Sequence, residues 1–173
     1  MRLYLMRHGP AGNSATWQGD DSLRPLTEKG MHRVRAAANG LKILNPAADI
    51  LLTSPLTRAR QTAEIVGETL NLTAIEQIAL APGFGLAQLA GLLTIYTDAH
   101  GLMLFGHEPD FSNLIARLIA PRGDARIMMK KGACCALDLP NESSTNDVVA
   151  RQLAGSATLA WLMTARQLAR IAG

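Results

Sequence analysis

Short runs rich in apolar residues alternate along the chain with longer segments in which apolar residues recur every three or four positions. The first short run occupies residues 3–6, and similar runs occupy 49–53, 74–78 and 102–105. Runs of four to six such residues, bounded by turn-forming or polar residues, are typical of strands. We therefore predict four strands in the first two thirds of the chain.

The longer segments have the spacing of amphipathic helices. In the first of them Val34, Ala38 and Leu41 recur at helical intervals, Thr27 can cap the start, and Pro46 lies just beyond the end. Comparable apolar stripes occupy 59–70, 86–96 and 114–119. Strands that alternate with helices through short links predict a three-layer α/β sandwich, in which helices cover both faces of a largely parallel sheet.

The last third of the chain has a different pattern. Residues 132–139 and 157–163 have the apolar, poorly helical character of strands, with a loop at 140–147 between them and a final helix predicted over 164–171. A chain of 173 residues is long enough to bury one sizeable core and short for two. We expect one domain that spans residues 1–173.

Composition and charge exclude several classes of protein. Hydrophobic residues make up 48% and charged residues 18% of the chain, which is the balance of a globular protein rather than a disordered one. The net charge is only +3, the basic residues are scattered and aromatic residues make up 4%, so a nucleic-acid partner is not expected. Most of the cations are arginine, which suits the binding of phosphate oxygens.

Two further observations concern location. Residues 77–97 carry no charge over a length close to a membrane span, but Pro82 and Gly83 interrupt them, so we predict a strand end, a turn and a helix and no membrane association. The first residues lack the apolar run of a signal peptide. Cys134 and Cys135 are adjacent, where a disulfide would be strained, and we expect reduced thiols in a cytoplasmic protein.

Candidate chemistry follows three of the predicted strands. Arg-His-Gly stands at 7–9, Ser-Pro-Leu-Thr-Arg-Ala-Arg-Gln-Thr-Ala at 54–63 and Gly-His-Glu-Pro at 106–109. The carboxyl ends of parallel strands share one edge of a sheet, so these segments are expected to meet there. Helices that begin after Ser54 and near Pro109 would direct free backbone N–H groups to the same edge. The pattern predicts an anion site that contains two histidines and two arginines.

These three segments, in this order, resemble the signature of the histidine phosphatase superfamily. Pro-Leu-Thr-Glu-Lys-Gly at 25–30 also resembles the pattern that precedes the first helix of that family. The short length and the Gly-His-Glu-Pro-Asp segment are most similar to the SixA-type phosphohistidine phosphatases. The resemblance covers most of the chain and implies a phosphoglycerate mutase-like fold without the lid insertion of sugar-phosphate enzymes.

The resemblance implies a metal-independent phosphatase with a phosphohistidine intermediate. His8 is the expected nucleophile, because a neutral imidazole attacks phosphorus near neutral pH and later releases the phosphoryl group to water. Arg7 and Arg58 are expected to hold the phosphoryl oxygens, and His107, protonated beside the phosphate, to donate a further hydrogen bond to the transferring group. By the same resemblance Arg24 is a substrate-binding residue. No cofactor is expected, since no carboxylate cluster is spaced to hold a metal.

The general acid is the part of the family pattern that is least evident. Pro10 and Ala11 follow Arg-His-Gly where related mutases carry glutamate, and the loop at 81–85 contains no acid. Glu108 is the possible general acid, although a carboxylate that merely stabilises the start of a helix is an equal alternative. The other carboxylates near the motifs are Asp110, Asp20 and Asp21.

A weak acid favours a substrate whose leaving group needs little protonation. Phosphohistidine can leave as neutral imidazole, with a conjugate-acid pKa of about 6.5. The leading hypothesis is therefore a phosphatase of phosphohistidine on a phosphotransfer protein. The alternatives are a phosphatase of small phosphorylated metabolites and a non-catalytic module that binds phosphohistidine proteins. His32 and His100 are predicted to be ordinary surface residues. Lys130 and Lys131 are predicted to be a solvated surface pair, with contact to an acidic partner as the lesser alternative. Met128, Met129 and Met163 are predicted to be core residues.

Overall fold

Six strands form one sheet in the computed structural model, which describes residues 1–120, 122, 124–140 and 153–173. The strands are β1 (Arg2–Arg7), β2 (Ile50–Thr53), β3 (Ala74–Glu76), β4 (Gly101–Gly106), β5 (Cys134–Asp138) and β6 (Thr158–Met163). Their order across the sheet is β3-β2-β4-β1-β5-β6. The first four strands are parallel, whereas β5 runs antiparallel to both β1 and β6.

Five α-helices accompany the sheet in the described part of the chain. They are α1 (Glu28–Leu44), α2 (Thr57–Leu70), α3 (Leu86–Ile95), α4 (Asp110–Ile119) and α5 (Ala165–Ile171). Short 3-10 helices occupy Asp21–Leu23 and Ile78–Leu80. The predicted start of α1 is confirmed, because the Thr27 hydroxyl accepts a hydrogen bond from the amide of Gly30.

Side chains of β1 alternate between two buried layers. Leu3 and Leu5 pack in the layer that contains the buried residues of α3 and α4, whereas Tyr4 and Met6 pack in the layer built by α1, α2 and α5. All four side chains are buried, as expected for a central strand covered on both faces. This confirms the predicted three-layer sandwich around a largely parallel sheet.

The two cysteines separate between these layers. Cys135 packs with the α3 and α4 side, and Cys134 with the side of α1, α2 and α5. Both thiols are free, and burial raises the pKa of Cys135 to about 12 and that of Cys134 well above its ordinary value. The expectation of reduced, structural thiols is confirmed.

Some sequence predictions need correction. Ile78 was expected in the third strand but begins a 3-10 helix, because β3 pairs with β2 over only three residues. Met128 is 77% exposed rather than part of the core, since its segment runs along the surface between α4 and β5. The loop expected at 140–147 lies, beyond Pro140, outside the described residues. Within the described ranges, no helix has the length and apolar character needed to cross a membrane.

The register of β1 and β4 sets the position of the motifs. Arg7 pairs with Gly106 at the carboxyl ends of the two strands, so His8 and His107 emerge side by side. The segment that begins at Ser54 leaves β2 at the same edge, next to β4. Three segments far apart in sequence therefore meet at one edge of the sheet.

Candidate active site

His8 is fixed by backbone hydrogen bonds on both sides. Its amide donates to the carbonyl of Gly106 at 3.0 Å, and its carbonyl accepts from the amide of Gly132 at 3.0 Å. The ring atom Nδ1 lies 2.7 Å from the carbonyl oxygen of Gly9, which cannot donate a proton. Nδ1 therefore carries the hydrogen, and in the neutral ring the lone pair is on Nε2.

The surroundings of His8 keep its ring neutral. Burial lowers its pKa to about 3, with further lowering by the charges of His107, Arg58 and Arg7, while the hydrogen bond to Gly9 acts in the opposite direction. A cation in this position would be both poorly solvated and surrounded by other cations. At pH 7 the imidazole is uncharged and able to act as a nucleophile.

His107 lies beside His8, with the two ring centroids 5.4 Å apart. Its Nε2 is 2.8 Å from the hydroxyl oxygen of Ser54, and its buried Nδ1 has no hydrogen-bond partner among the described residues. Burial, followed by the charge of Arg58, lowers the pKa of His107 to about 4. Without an anion the His107 ring is therefore neutral at pH 7. The expectation of a protonated His107 concerns the ring beside a bound phosphate and stays a prediction.

Close packing explains the glycines beside both histidines. A Cβ atom on Gly106 would lie 2.6 Å from the ring of Phe111, and one on Gly9 would lie 2.5 Å from a methyl group of Val34. Both distances are well below van der Waals contact. The motifs require glycine here because helices pack directly against the backbone that carries each histidine.

Arg7 is held by the segment that precedes β5. Its Nη1 donates to the carbonyl of Met129 at 2.7 Å, and its Nε is buried without a partner in the described part of the protein. Burial lowers the pKa of Arg7, an effect that the charge of Glu108 opposes. The guanidinium is charged at neutral pH, and its Nε–H remains free to donate.

Arg58 is held by the loop after β1. Its Nη1 donates to the carbonyl of Asp21 at 2.7 Å, and its Nη2 lies 3.1 Å from the carboxylate of the same residue. Its Nε is buried and has no partner within the described ranges. Burial lowers the pKa of Arg58, Asp21 opposes this effect and Arg24 adds to it.

Arg24 is connected to Arg58 through Asp21. Its Nε donates to the Asp21 carboxylate at 2.7 Å, and its Nη1 donates to the carbonyl of Gly12 at 2.5 Å. Asp21 therefore bridges Arg24 and Arg58. In the sequence, Asp21 is only one of several carboxylates near the motifs. No spacing or motif could have indicated its contact with Arg58.

Two further residues of the second motif, Gln61 and Thr62, connect the start of α2 to the loop after His8. The Thr62 hydroxyl donates to the carbonyl of Arg58 at 2.7 Å and accepts from the amide of Gly9 at 3.0 Å. Gln61 accepts a hydrogen bond from the amide of Leu26 at 2.8 Å. These contacts tie the start of α2 to the loop after His8, which accounts for Gln-Thr in the second motif.

Glu108 is engaged in a chain of hydrogen bonds. Its carboxylate accepts from the amide of Ser112 at 3.2 Å and from the hydroxyl of Ser112 at 2.6 Å. The same hydroxyl oxygen accepts from the amide of Met129 at 3.2 Å, and the carbonyl of Met129 accepts from Arg7. This geometry is that of a carboxylate at the start of α4, the alternative to a general acid.

The other candidate acids also accept hydrogen bonds. Asp110 accepts from the amides of Gly83 and Phe84 at 2.7 and 3.3 Å. Asp20 accepts from the amide of Ser22 at 2.8 Å, and this contact lowers its pKa. The hydrogen bond from Arg24 is the main cause of the lowered pKa of Asp21. In the residues that the structure describes, no three side chains of His, Cys, Asp or Glu are grouped to hold a metal ion.

The residues predicted to be ordinary surface groups are exposed. His32 is exposed on α1, and Lys130 and Lys131 are exposed before β5. The His100 side chain is 90% exposed and pairs with the carboxylate of Asp49 at 3.2 Å. These surface predictions are confirmed.

Comparisons with known proteins agree with this geometry. The family model for the histidine phosphatase superfamily (branch 1) matches residues 3–84. The phosphohistidine phosphatase SixA of Escherichia coli is 34% identical over 124 residues, which are 68% of this chain and 74% of that protein. The chain belongs to the histidine phosphatase superfamily. Its relative SixA is a phosphatase.

Further similarities place this histidine phosphatase near SixA. An uncharacterised protein of a Picosynechococcus species is 35% identical over 141 residues, which cover 79% of this chain and 84% of that protein. The solved structure of the protein histidine phosphatase SixA complexed with tungstate superimposes with a TM-score of 0.79 and 30% identity, over 97% and 99% of the two chains. The predicted SixA-like membership and phosphoglycerate mutase-like fold are confirmed.

Proposed function

We propose that this protein hydrolyses phosphohistidine in proteins, with His8 as the nucleophile. The observation that carries the proposal is the neutral imidazole of His8, whose Nδ1 donates to Gly9 and leaves a lone pair on Nε2. That ring lies next to His107, and the charges of Arg58 and Arg7 help to lower its pKa. A nucleophile among cationic donors is the arrangement that in-line phosphoryl transfer requires.

The reaction has two steps. In the first, Nε2 of His8 attacks phosphorus, a new N–P bond forms and the N–P bond of the substrate histidine breaks. In the second, water attacks the phosphorus of phospho-His8, the N–P bond breaks and its electron pair returns to Nε2, and the oxygen of the water joins inorganic phosphate, which keeps one of the two water protons while the other passes to solvent. The Nδ1 hydrogen bond to Gly9 holds the ring in one orientation during both steps.

The arginines and His107 have complementary roles in this proposal. The unpartnered Nε–H groups of Arg7 and Arg58 are the donors available to phosphoryl oxygens. A phosphate dianion beside His107 would raise the pKa of that ring and favour its protonated form. The tungstate in the related SixA structure is a tetrahedral oxyanion bound to that protein, which supports an oxyanion site here.

The hydrogen bonds of the four candidate acids support a substrate with an easy leaving group. Hydrogen bonds lower the pKa values of Asp20 and Asp21. The carboxylates of Glu108 and Asp110 are engaged as acceptors, from Ser112 and from the amides of Gly83 and Phe84 respectively. An ester oxygen leaves poorly without a proton, whereas a histidine ring that is protonated on its other nitrogen leaves as a neutral molecule. We therefore favour a phosphorylated histidine phosphotransfer domain in the cytoplasm as substrate, without a metal.

The test compares leaving groups. Purified protein is assayed in the presence of EDTA on a phosphohistidine protein and on p-nitrophenyl phosphate, together with Glu108→Gln and the matched control Glu28→Gln, which alters an acid in the first turn of α1. We expect faster turnover of the phosphohistidine protein and little effect of either substitution on that substrate. Equal or faster turnover of the ester would contradict the proposed substrate and favour small phosphorylated metabolites.

The same assay separates catalysis from binding. An enzyme that follows this route forms an acid-labile phosphoryl label on His8, and His8→Ala removes both the label and the turnover. Retained turnover in His8→Ala would contradict the nucleophile. Binding of phosphohistidine protein without turnover by the unsubstituted protein would instead favour a non-catalytic module.

A further inference from the structure

The segment of residues 126–131, named here the basic strip, connects α4 to β5 beside the candidate active site. Its centre is anchored: Met129 is fully buried, its carbonyl accepts from Arg7 at 2.7 Å, and its amide donates to Ser112. Immediately after the strip, Gly132 donates to the carbonyls of Arg7 and His8. The strip therefore keeps a fixed position relative to the candidate nucleophile.

The outer side of the basic strip combines positive charge with an apolar side chain. Arg126, Lys130 and Lys131 are exposed, and none of them forms a salt bridge with an acid in the described part of the chain. Met128 lies among them and is 77% exposed. Methionine is a flexible apolar side chain that adapts to varied protein surfaces. Three free cations around an exposed methionine form a surface suited to an acidic partner.

The loop that holds Arg58 has a similar apolar feature. The loop whose Asp21 holds Arg58 also carries Leu23, which is 63% exposed, and Trp17, which is 37% exposed. Each of the two segments that hold an arginine thus presents apolar side chains to solvent. These exposed apolar side chains are available for contact with a protein partner.

We propose that the basic strip docks the acidic surface that surrounds the phosphohistidine of a partner protein. Lys130, Lys131 and Arg126 pair with carboxylates of the partner, and Met128 contacts an apolar side chain. This inference rests on the proposed function and names how the same site recognises a protein. Because the strip is hydrogen-bonded to Arg7, a partner surface that contacts it would lie beside the phosphoryl group that Arg7 binds.

The test uses two synthetic phosphohistidine peptides that differ only in the residues around the phosphohistidine, which are glutamates in one and lysines in the other. Phosphoramidate serves as a small substrate that cannot reach the strip. The variant is Lys130→Glu/Lys131→Glu. The matched control is Lys42→Glu/Arg170→Glu, which makes the same change in net charge in the last turns of α1 and α5.

For the unsubstituted protein we expect a higher kcat/KM on the glutamate peptide than on the lysine peptide, with a difference that shrinks as NaCl is added. In Lys130→Glu/Lys131→Glu, kcat/KM on the glutamate peptide falls about fivefold or more and the preference reverses. Turnover of phosphoramidate stays the same. The control variant keeps the original preference, and Met128→Ser lowers kcat/KM on both peptides without changing the preference.

The outcomes that overturn the inference are distinct. Equal kcat/KM values on the glutamate peptide for the strip variant and its control would remove the docking role and leave the proposed function intact. Loss of binding to anionic phospholipid vesicles, with peptide turnover unchanged, would assign the strip to a membrane surface instead. If the unsubstituted protein hydrolyses neither peptide but hydrolyses p-nitrophenyl phosphate, both the proposed substrate and the docking role are wrong.

Discussion

The two histidines and the two arginines of the site are positioned by different parts of the molecule. His8 and His107 follow adjacent parallel strands, and the amide of His8 bonds to the carbonyl of Gly106 across them. Arg7 and Arg58 instead depend on surface segments, since their guanidinium groups bond to Met129 and Asp21. The sheet sets the distance between the rings, whereas loops set the direction of the cations.

This difference has a consequence for substitution. A change at a histidine removes a reacting or donating group from a rigid frame, and the frame remains. A change in a loop leaves every reacting group present but alters the direction in which an arginine points. We therefore expect large, substrate-independent losses from the first kind of change and smaller losses from the second.

The largest expected effect is that of His8→Ala, which removes the proposed nucleophile. Turnover should fall at least about 1,000-fold, because no other side chain takes over covalent transfer. Steady-state hydrolysis and trapping of the phosphoryl label measure the loss. His32→Ala, which alters an exposed histidine on α1, is the matched control and should retain full activity.

Arg58→Ala should lower kcat by about 100- to 1,000-fold, the range found when one donor to a developing anion is removed. Arg58→Lys keeps a charge but loses the fork that Asp21 holds, so it should recover only part of the rate. The exposed Arg60, two residues further along α2, provides the control as Arg60→Ala. Full activity in Arg58→Ala would contradict the proposed clamp.

Protonation of the histidines should lower stability in acid. The pKa of His107 is about 4 in the folded protein, below the ordinary value of about 6.5, so the unfolded chain binds more protons between these two pH values. The free energy of unfolding is highest above pH 6.5 and falls as pH drops toward 4, by about 3 kcal/mol for this group.

Thermal unfolding between pH 7 and pH 4 tests this expectation. His107→Gln should show a smaller loss of the free energy of unfolding over that interval than the unsubstituted protein. His32→Gln, at an exposed position of α1, is the matched control. If His107→Gln lost as much free energy of unfolding between pH 7 and pH 4 as the unsubstituted protein, burial of the His107 ring would not disfavour its charged form.

The smallest effect is expected from Asp21→Asn, which acts through the loop. It weakens the contacts to Arg58 and Arg24 but keeps both arginines, and the Asp21 side chain is half exposed, so kcat/KM should fall only about three- to tenfold. Asp21→Glu should restore part of the rate, and Asp20→Asn should have little effect on it. If Asp21→Asn lowered kcat/KM as much as Arg58→Ala, the contacts made by the loop would be as important for turnover as the groups positioned by the sheet.

The sequence predicted the histidines better than the contacts of the arginines. Arg-His-Gly and Gly-His each follow an apolar run, and the common edge of parallel strands then brings His8 and His107 together. Met129 contributes a backbone carbonyl, which every residue possesses, so no residue type could have indicated its role. Asp21 contacts an arginine 37 positions away, and only the folded chain brings the two together.

The error at Met128 has a similar origin. Residue type predicts burial on average, but the segment between α4 and β5 has no periodic pattern that could assign its side chains to a face. Met129 is buried and Met128 is exposed, although the two are chemically identical neighbours. Tertiary contacts of the backbone, rather than hydrophobicity, decide which of them packs inward.

The separation of the two cysteines between the layers makes them internal reporters of unfolding. Each thiol is fully buried in a different layer, and its raised pKa keeps it in the unreactive protonated form. An alkylating reagent can therefore modify Cys134 only when the α1, α2 and α5 side opens, and Cys135 only when the α3 and α4 side opens. In single Cys→Ser variants, the alkylation rate of the remaining thiol would measure how fast its own layer opens, and no additional cysteine would have to be introduced.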